Sequence, residues 1–197
     1  MKRDCTGLSS EELMSLVQDG DRMAFTCLIR RHEASVFRII YRFFGKEDVA
    51  NDLAQEVFLR VWRHCGNYVP TAKFTTWLYT VTANCCRSEA QSLWRRHIRL
   101  IGSFWTAGDA AAPEFPEPIA PTPSPEDAIL QAEQSQLVLA AIRSLPNNQR
   151  LALVLRRYEE LSYQEIAAIL ACSVPAVDAL LARAKASLLK KLAAHHK

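Results

Sequence analysis

Asp52 and Glu56 stand four residues apart in the run DLAQEVFLRVW (residues 52–62) of this 197-residue sequence. That spacing sets two carboxylates on one side of a helix, where they repel mildly when alone. Acid/base catalysis is one use for such a pair, but it needs a nucleophile, a histidine or metal-ligand company, and none accompanies it. The cysteines Cys5, Cys27, Cys65, Cys85, Cys86 and Cys172 form no CxxC pair and no zinc spacing. The six glycines form no phosphate-cradling motif. No catalytic residue, metal or cofactor is therefore expected. Asp52, Gln55 and Glu56 fit either a solvated face or contact with a basic partner.

A second segment offers binding chemistry. Lys73-Phe74-Thr75-Thr76-Trp77 opens a stretch that mixes aromatic and small polar side chains and runs on through Asn84 and Arg87 to Arg95, Arg96 and Arg99. Unpaired bases need flat surfaces to stack on and cations for their phosphates, and this mixture supplies both. Trp77, Leu78 and Val81 also recur at helical spacing, so they read as core, while the arginines read as phosphate contacts.

The third constellation is LSYQEIAAILACSVPAVDALLARAKASLLKKL, residues 161–192. Ser162 and Glu165 have the S-x-x-E spacing of a capping box. Ala171-Cys172-Ser173 makes a short turn. Ser173 can cap the next helix, and Pro175 is tolerated in its first turn. A short helix, a tight turn and a longer helix make a helix-turn-helix, whose second helix enters the DNA major groove. Ser173, Ala176, Asp178, Ala179, Ala182 and Arg183 then face DNA, and Arg183, Lys185, Lys190 and Lys191 can meet phosphates. An ordinary helical hairpin with a basic end is the alternative.

These segments need helices to position them. Ser9 or Ser10 can cap a first helix, and Asp21 precedes a longer one that Gly45 ends. A third runs from about Asp48 to Arg63, and a fourth from about Phe74 to His97. Gly66 to Thr71 is a turn. Further helices are expected from Pro125 or Glu126 to Ile142, from Gln149 to Tyr158, from Ser162 to Leu170, and from Pro175 to about Ala194. No segment alternates as a strand does. The fold class is all-α, with two small helical domains.

Between them, six of the nine prolines fall within Ala107 to Pro125. They fix φ and remove amide donors, so this stretch is expected to be an extended linker. The expected division is 1–100, a linker over 101–125, and 126–197. Residues 1–97 carry 14 Lys/Arg against 11 Asp/Glu, residues 98–129 carry 1 against 5, and residues 130–197 carry 9 against 5. Two basic segments flank an acidic one, which suits two nucleic-acid contacts joined by a connector that DNA repels. No signal peptide and no membrane-length apolar run is seen, so free thiols in a cytoplasmic setting are expected.

Taken together, DLAQEVFLRVW, then KFTTWLYTVTANCCR, then LSYQEIAAILACSVPAVDALLARAK resemble the extracytoplasmic-function (ECF) RNA polymerase sigma factor family. The resemblance covers nearly the whole chain outside the linker. It implies a region 2 helical bundle, a region 4 helix-turn-helix and a role in transcription initiation. It implies that Asp52, Gln55 and Glu56 bind core RNA polymerase. It implies that Asn67, Tyr68, Lys73, Phe74 and Thr75 contact the melted minus-ten strand of promoter DNA, with Asn84, Arg87, Arg95 and Arg96 further along the same helix. Ser173, Ala176, Asp178, Ala179, Arg183 and Lys185 would read the minus-thirty-five element. An inhibitory partner, a membrane-anchored anti-sigma factor, is also implied. The sequence departs from the family at Asp178 and Ala179, where a basic or hydroxyl residue is common. A plain DNA-binding regulator would explain the helix-turn-helix but leave the other two segments idle.

Overall fold

The first two helices of the N-terminal half begin on local chemical signals. The computed structural model describes residues 7–102 and 137–195, with side chains for 7–95 and 137–193. Helix α1 (Ser10–Gln18) is capped by Ser9, whose hydroxyl accepts from the Glu12 amide while the Glu12 carboxylate accepts from the Ser9 amide at 2.7 Å. This reciprocal box satisfies two amides that the helix itself leaves unpaired. Helix α2 (Arg22–Phe44) starts at Asp21, whose Oδ1 accepts from the Met23 and Ala24 amides. It stops at Gly45, which is left-handed at φ 69° and returns its N–H to the Tyr41 carbonyl. Helix α3 (Glu47–Arg63) follows at once.

A 3-10 turn at Cys65–Asn67 reverses the chain. Gln18 Nε2 ties it to α1 by donating to the Cys65 and Tyr68 carbonyls at 2.9 and 2.8 Å. Helix α4 (Phe74–Gly102) then begins with the Phe74 amide donating to Glu11 Oε1 at 2.7 Å.

In the C-terminal half, residues 137–143 are helical (α5). Helices α6 (Asn147–Tyr158), α7 (Tyr163–Leu170) and α8 (Val174–His195) complete the chain. The described residues contain no strand, as expected for an all-α fold. Helix α6 starts two residues before the expected Gln149, because Pro146 stands at the cap with φ −53° and leads directly into helical backbone. The expected start of α5 at Pro125 or Glu126, and the linker itself, lie outside the described residues.

The core is continuous. Leu13, Leu28, Ile40, Val57 and Leu78 are fully buried and belong to one apolar cluster with Leu151, Leu155, Ile166 and Val177. Each such side chain contributes roughly 1.5–3 kcal/mol by leaving water. Helices α6 and α7 thus pack on α2 and α4 as well as on α8.

The free-thiol expectation needs one correction. Cys65, Cys85, Cys86 and Cys172 are free, but Cys27 on α2 is disulfide-bonded. Spacing motifs could not exclude this, since a disulfide joins residues that are close in space at any sequence separation. Burial pushes the thiols of Cys85 and Cys86 up, so both stay protonated inside α4 and are poor nucleophiles. Among the described residues no single helix is long and apolar enough to cross a membrane.

Candidate nucleic-acid interface

The helix-turn-helix is built as its caps predict. The Ser162 hydroxyl accepts from the Glu165 amide, and the Glu165 carboxylate accepts from the Ser162 amide at 2.9 Å. Helix α7 ends at Ala171, left-handed at φ 53°. The Ala176 amide donates to the Ser173 hydroxyl, which caps α8. The two helices meet at 97°, inside the range of helix-turn-helix motifs. Val177 and Ala184 are fully buried and fix which face of α8 points outward. Ser173, Asp178, Arg183 and Lys185 are exposed, while Ala176 and Ala179 are half-buried at the edge of that face. The outward face can therefore lie against a duplex.

The aromatic and basic segment divides into two. Tyr68 is 4% exposed and Phe74 is 1% exposed. Their rings pack edge-on at 5.9 Å, and Trp77 joins them at 5.4 and 6.1 Å. As packed here, these rings form the seat of α4 and are not presented to a base. Asn67, Lys73 and Asn84 are exposed, and Thr75 and Arg87 half-buried. Arg87 donates to Asn84 Oδ1 at 2.6 Å, which holds the guanidinium against the helix surface. Arg95 is exposed about two turns further on, next to Trp94, an exposed aromatic that sequence reading passed over. Arg96 belongs to α4, but its side chain lies outside the described residues.

Lys73 has a partner across the fold. Its ammonium donates to Glu165 Oε1 at 2.8 Å. That contact, with the Ser162 capping bonds, drives the Glu165 carboxyl down to about 2.

The α3 triad splits between two grooves. Asp52 and Glu56 line a groove of about 450 Å³ against α4, shared with Arg60, Cys85 and Glu89. Glu56 accepts from Arg60 Nε at 2.7 Å, so the mild repulsion with Asp52 is offset within the helix itself. Gln55 lines the other groove, about 730 Å³ between α2 and α3, with Phe25, Phe37, Phe58 and Leu59. Asp52, Gln55 and Leu59 are exposed. The apolar floor of the second groove was not legible in the triad's own spacing.

A helix-turn-helix with an open outer face, joined to a helical bundle, is the architecture of a DNA-binding protein. Residues 28–96 match the family model described as Sigma-70 region 2, and residues 135–188 match Sigma-70, region 4. The chain is 35% identical over 182 residues to the RNA polymerase sigma-H factor of Pseudomonas aeruginosa, covering 92% of this chain and 93% of that one. It is 32% identical over 185 residues to the ECF RNA polymerase sigma-E factor of Escherichia coli K12, covering 94% and 95%. The chain belongs to the ECF sigma factor family.

Two solved structures share the fold, each at 22% identity. CnrH in complex with the cytosolic domain of CnrY matches with a TM-score of 0.65, over 92% of this chain and 96% of that one. The sigma factor RpoE in complex with the anti-sigma factor NepR, from Bartonella quintana, matches at 0.62 over 85% and 96%.

Proposed function

We propose that this sigma factor divides its work between a domain over residues 1–100, which docks on core RNA polymerase and takes the minus-ten strand, and a domain over 126–197, which reads the minus-thirty-five element. Residues 101–125 span between them. The observation that carries this reading is the exposed edge of α3, where Gln55 lines the apolar groove of Phe25, Phe37 and Phe58 and Asp52 lines the groove on the other side. A regulator that needed only its helix-turn-helix would have no use for that edge. Polar residues around an apolar floor suit a helical partner surface, as core polymerase would supply.

On the DNA side, Asn67, Lys73, Asn84, Arg87 and Arg95 offer donors and cations along one line, and the melted strand would run there. Ser173, Asp178, Arg183 and Lys185 approach the duplex. Asp178 can accept from a cytosine amine, while Arg183 and Lys185 meet phosphates. Chemistry would belong to the polymerase, so this chain supplies address and strand capture and no reaction of its own. The cell compartment would be the cytoplasm, with the polymerase. An anti-sigma factor, anchored in the membrane, would hold the chain until a signal arrives. The relatives solved with CnrY and NepR support such a partner.

The test is promoter-dependent RNA synthesis with purified core polymerase, on a template drawn from upstream of the chain's own gene. Transcripts that need the intact chain, and that Asp52→Ala/Gln55→Ala abolishes while leaving helix content unchanged, support the reading. Tight duplex binding by the chain alone, with no transcript and no binding to core, would sink it.

A further inference from the structure

Over the opening turns of α8, from Val174 to Ala182, Asp178 carries the only polar side chain. This is the part of a helix-turn-helix that meets base edges in the major groove. Ser173, just before it, uses its hydroxyl for the cap, accepting from the Ala176 amide at 3.3 Å. The face therefore has one strong hydrogen-bonding group, and the rest of it is small and apolar.

Packing decides which of these side chains look outward. Val177 and Ala184 are fully buried. Val174, Asp178 and Ala182 are exposed and follow one another at four-residue steps, which sets them in a line along one side of the helix. Pro175 is exposed beside them, and Ala179 is half-buried. Val174 keeps 37% of its surface open, three residues from a valine that is fully buried. At about 1.5 Å per residue the line is about 12 Å long. That is the length of about three to four base pairs at about 3.4 Å each. Asp178 makes no hydrogen bond or ion pair with any described residue.

An ionised carboxylate only accepts. In the major groove guanine presents acceptors, thymine an acceptor and a methyl, adenine an acceptor beside its amine, and cytosine an amine alone. Asp178 is thus drawn to cytosine and repelled by the acceptors of the other bases. Phosphates repel it too, so it weakens binding wherever no cytosine meets it. Apolar side chains contact the 5-methyl group of thymine. Cytosine methylated at carbon 5 keeps its amine and carries a methyl at that same position on its edge.

We propose that the outer face of α8 reads pyrimidine 5-methyl groups, with Val174 and Ala182 as the methyl contacts and Asp178 as the selector of a cytosine between them, so that promoter binding tightens when that cytosine is methylated at carbon 5. This rests on the reading above, in which the helix-turn-helix meets the minus-thirty-five duplex. Arg183 and Lys185 hold phosphates of any sequence and leave discrimination to this line.

The experiment uses holoenzyme assembled from core polymerase and the full chain, which selects its minus-thirty-five site from a pool of random duplexes. The selected site should hold a cytosine with thymine, on either strand, within about two base pairs of it. Each thymine is then replaced by deoxyuridine, which removes the methyl and nothing else, and the cytosine by 5-methylcytosine. Each deoxyuridine at a contacted position should weaken binding about fourfold, the effect of burying one methyl-sized group. 5-Methylcytosine should tighten binding by up to about the same factor. Ala182→Ser puts a hydroxyl in the line and should erase the difference between thymine and deoxyuridine at one position. Asp178→Asn gains a donor and should move the preference from cytosine to adenine by about tenfold. Both residues are exposed, so helix content should stay unchanged.

A selected site without cytosine overturns the proposal and leaves the sigma reading intact. Equal binding of thymine and deoxyuridine sites does the same, as does unchanged or weaker binding to 5-methylcytosine. A holoenzyme that selects no site sinks both readings. If the chain without core selects a duplex, the sigma reading fails, and the same base replacements decide the methyl reading.

Discussion

His32 is a buried histidine in a half of the molecule whose described buried side chains are, Thr82 apart, otherwise apolar. Its Nε2 lies 2.8 Å from the Ser10 hydroxyl and its ring is 5.2 Å from that of Phe74. Burial, and then the charge of Arg31, hold its pKa below the usual histidine value. The folded chain thus keeps this ring neutral where the unfolded chain takes up a proton. Stability contributed this way is present above pH about 6.5 and is lost as pH falls from there through the folded pKa. Urea unfolding between pH 7.5 and 5.5 should show that fall in wild type and a flatter profile in His32→Gln. Ser162→Ala should cost about 1 kcal/mol in the same assay, since the hydroxyl accepts the Glu165 amide that starts α7. The Ser162 cap was legible as sequence, because a capping box is local. The burial of Tyr68 and Phe74 was not, because an aromatic at helical spacing looks the same whether it seats a helix or waits for a base.

Elements are joined at fewer points than they pack. Gly45 ends α2 at φ 69°, a conformation costing an L-residue about 1–2 kcal/mol. A Cβ there would also lie 2.7 Å from Arg143 Cδ and Nη1, at the approach of α5. Gly45→Ala should therefore destabilise the fold by about 1–2 kcal/mol in thermal or urea unfolding, and more if Arg143 cannot move. Sequence showed that glycine as a helix stop, but not the side chain packed against it, which comes from about a hundred residues away. Arg150 donates to the Phe43, Arg143 and Leu145 carbonyls, and burial pulls its pKa down to about 10. A lysine offers a point charge where this guanidinium makes a planar fork, so Arg150→Lys should loosen the junction of α2 with α6. The check is faster hydrogen exchange in the last turn of α2. On α8, Arg183→Ala should lower the salt slope of promoter binding by about one, with little change in sequence preference.

At the scale of the whole molecule, the all-helical class and the order of helices were readable from caps and periodicity. How the two halves meet was not. Arg38 and Glu159 are separated by 121 positions, and nothing local in either segment marks them as partners. The charge distribution pointed to two basic segments; it did not show that acids of one would neutralise cations of the other. The contacts between the halves differ in strength. Hydrogen bonds to charged groups are worth about 1.5–3 kcal/mol, and exposed ion pairs about 0.2–1 kcal/mol. Glu159→Ala should thus destabilise the fold more than Glu165→Gln, measured by urea unfolding at one ionic strength.

Glu165 closes its own helix and also holds Lys73. A genetic selection for alleles with stronger promoter binding would feel both duties at once. Replacement by alanine frees Lys73 but strips the start of α7, so the encoded protein would be less abundant and the allele poorly recovered. Replacement by glutamine removes the charge that holds Lys73 and spares the helix. Gain-of-function alleles at this codon should therefore be strongly skewed toward glutamine, although one nucleotide change reaches either residue.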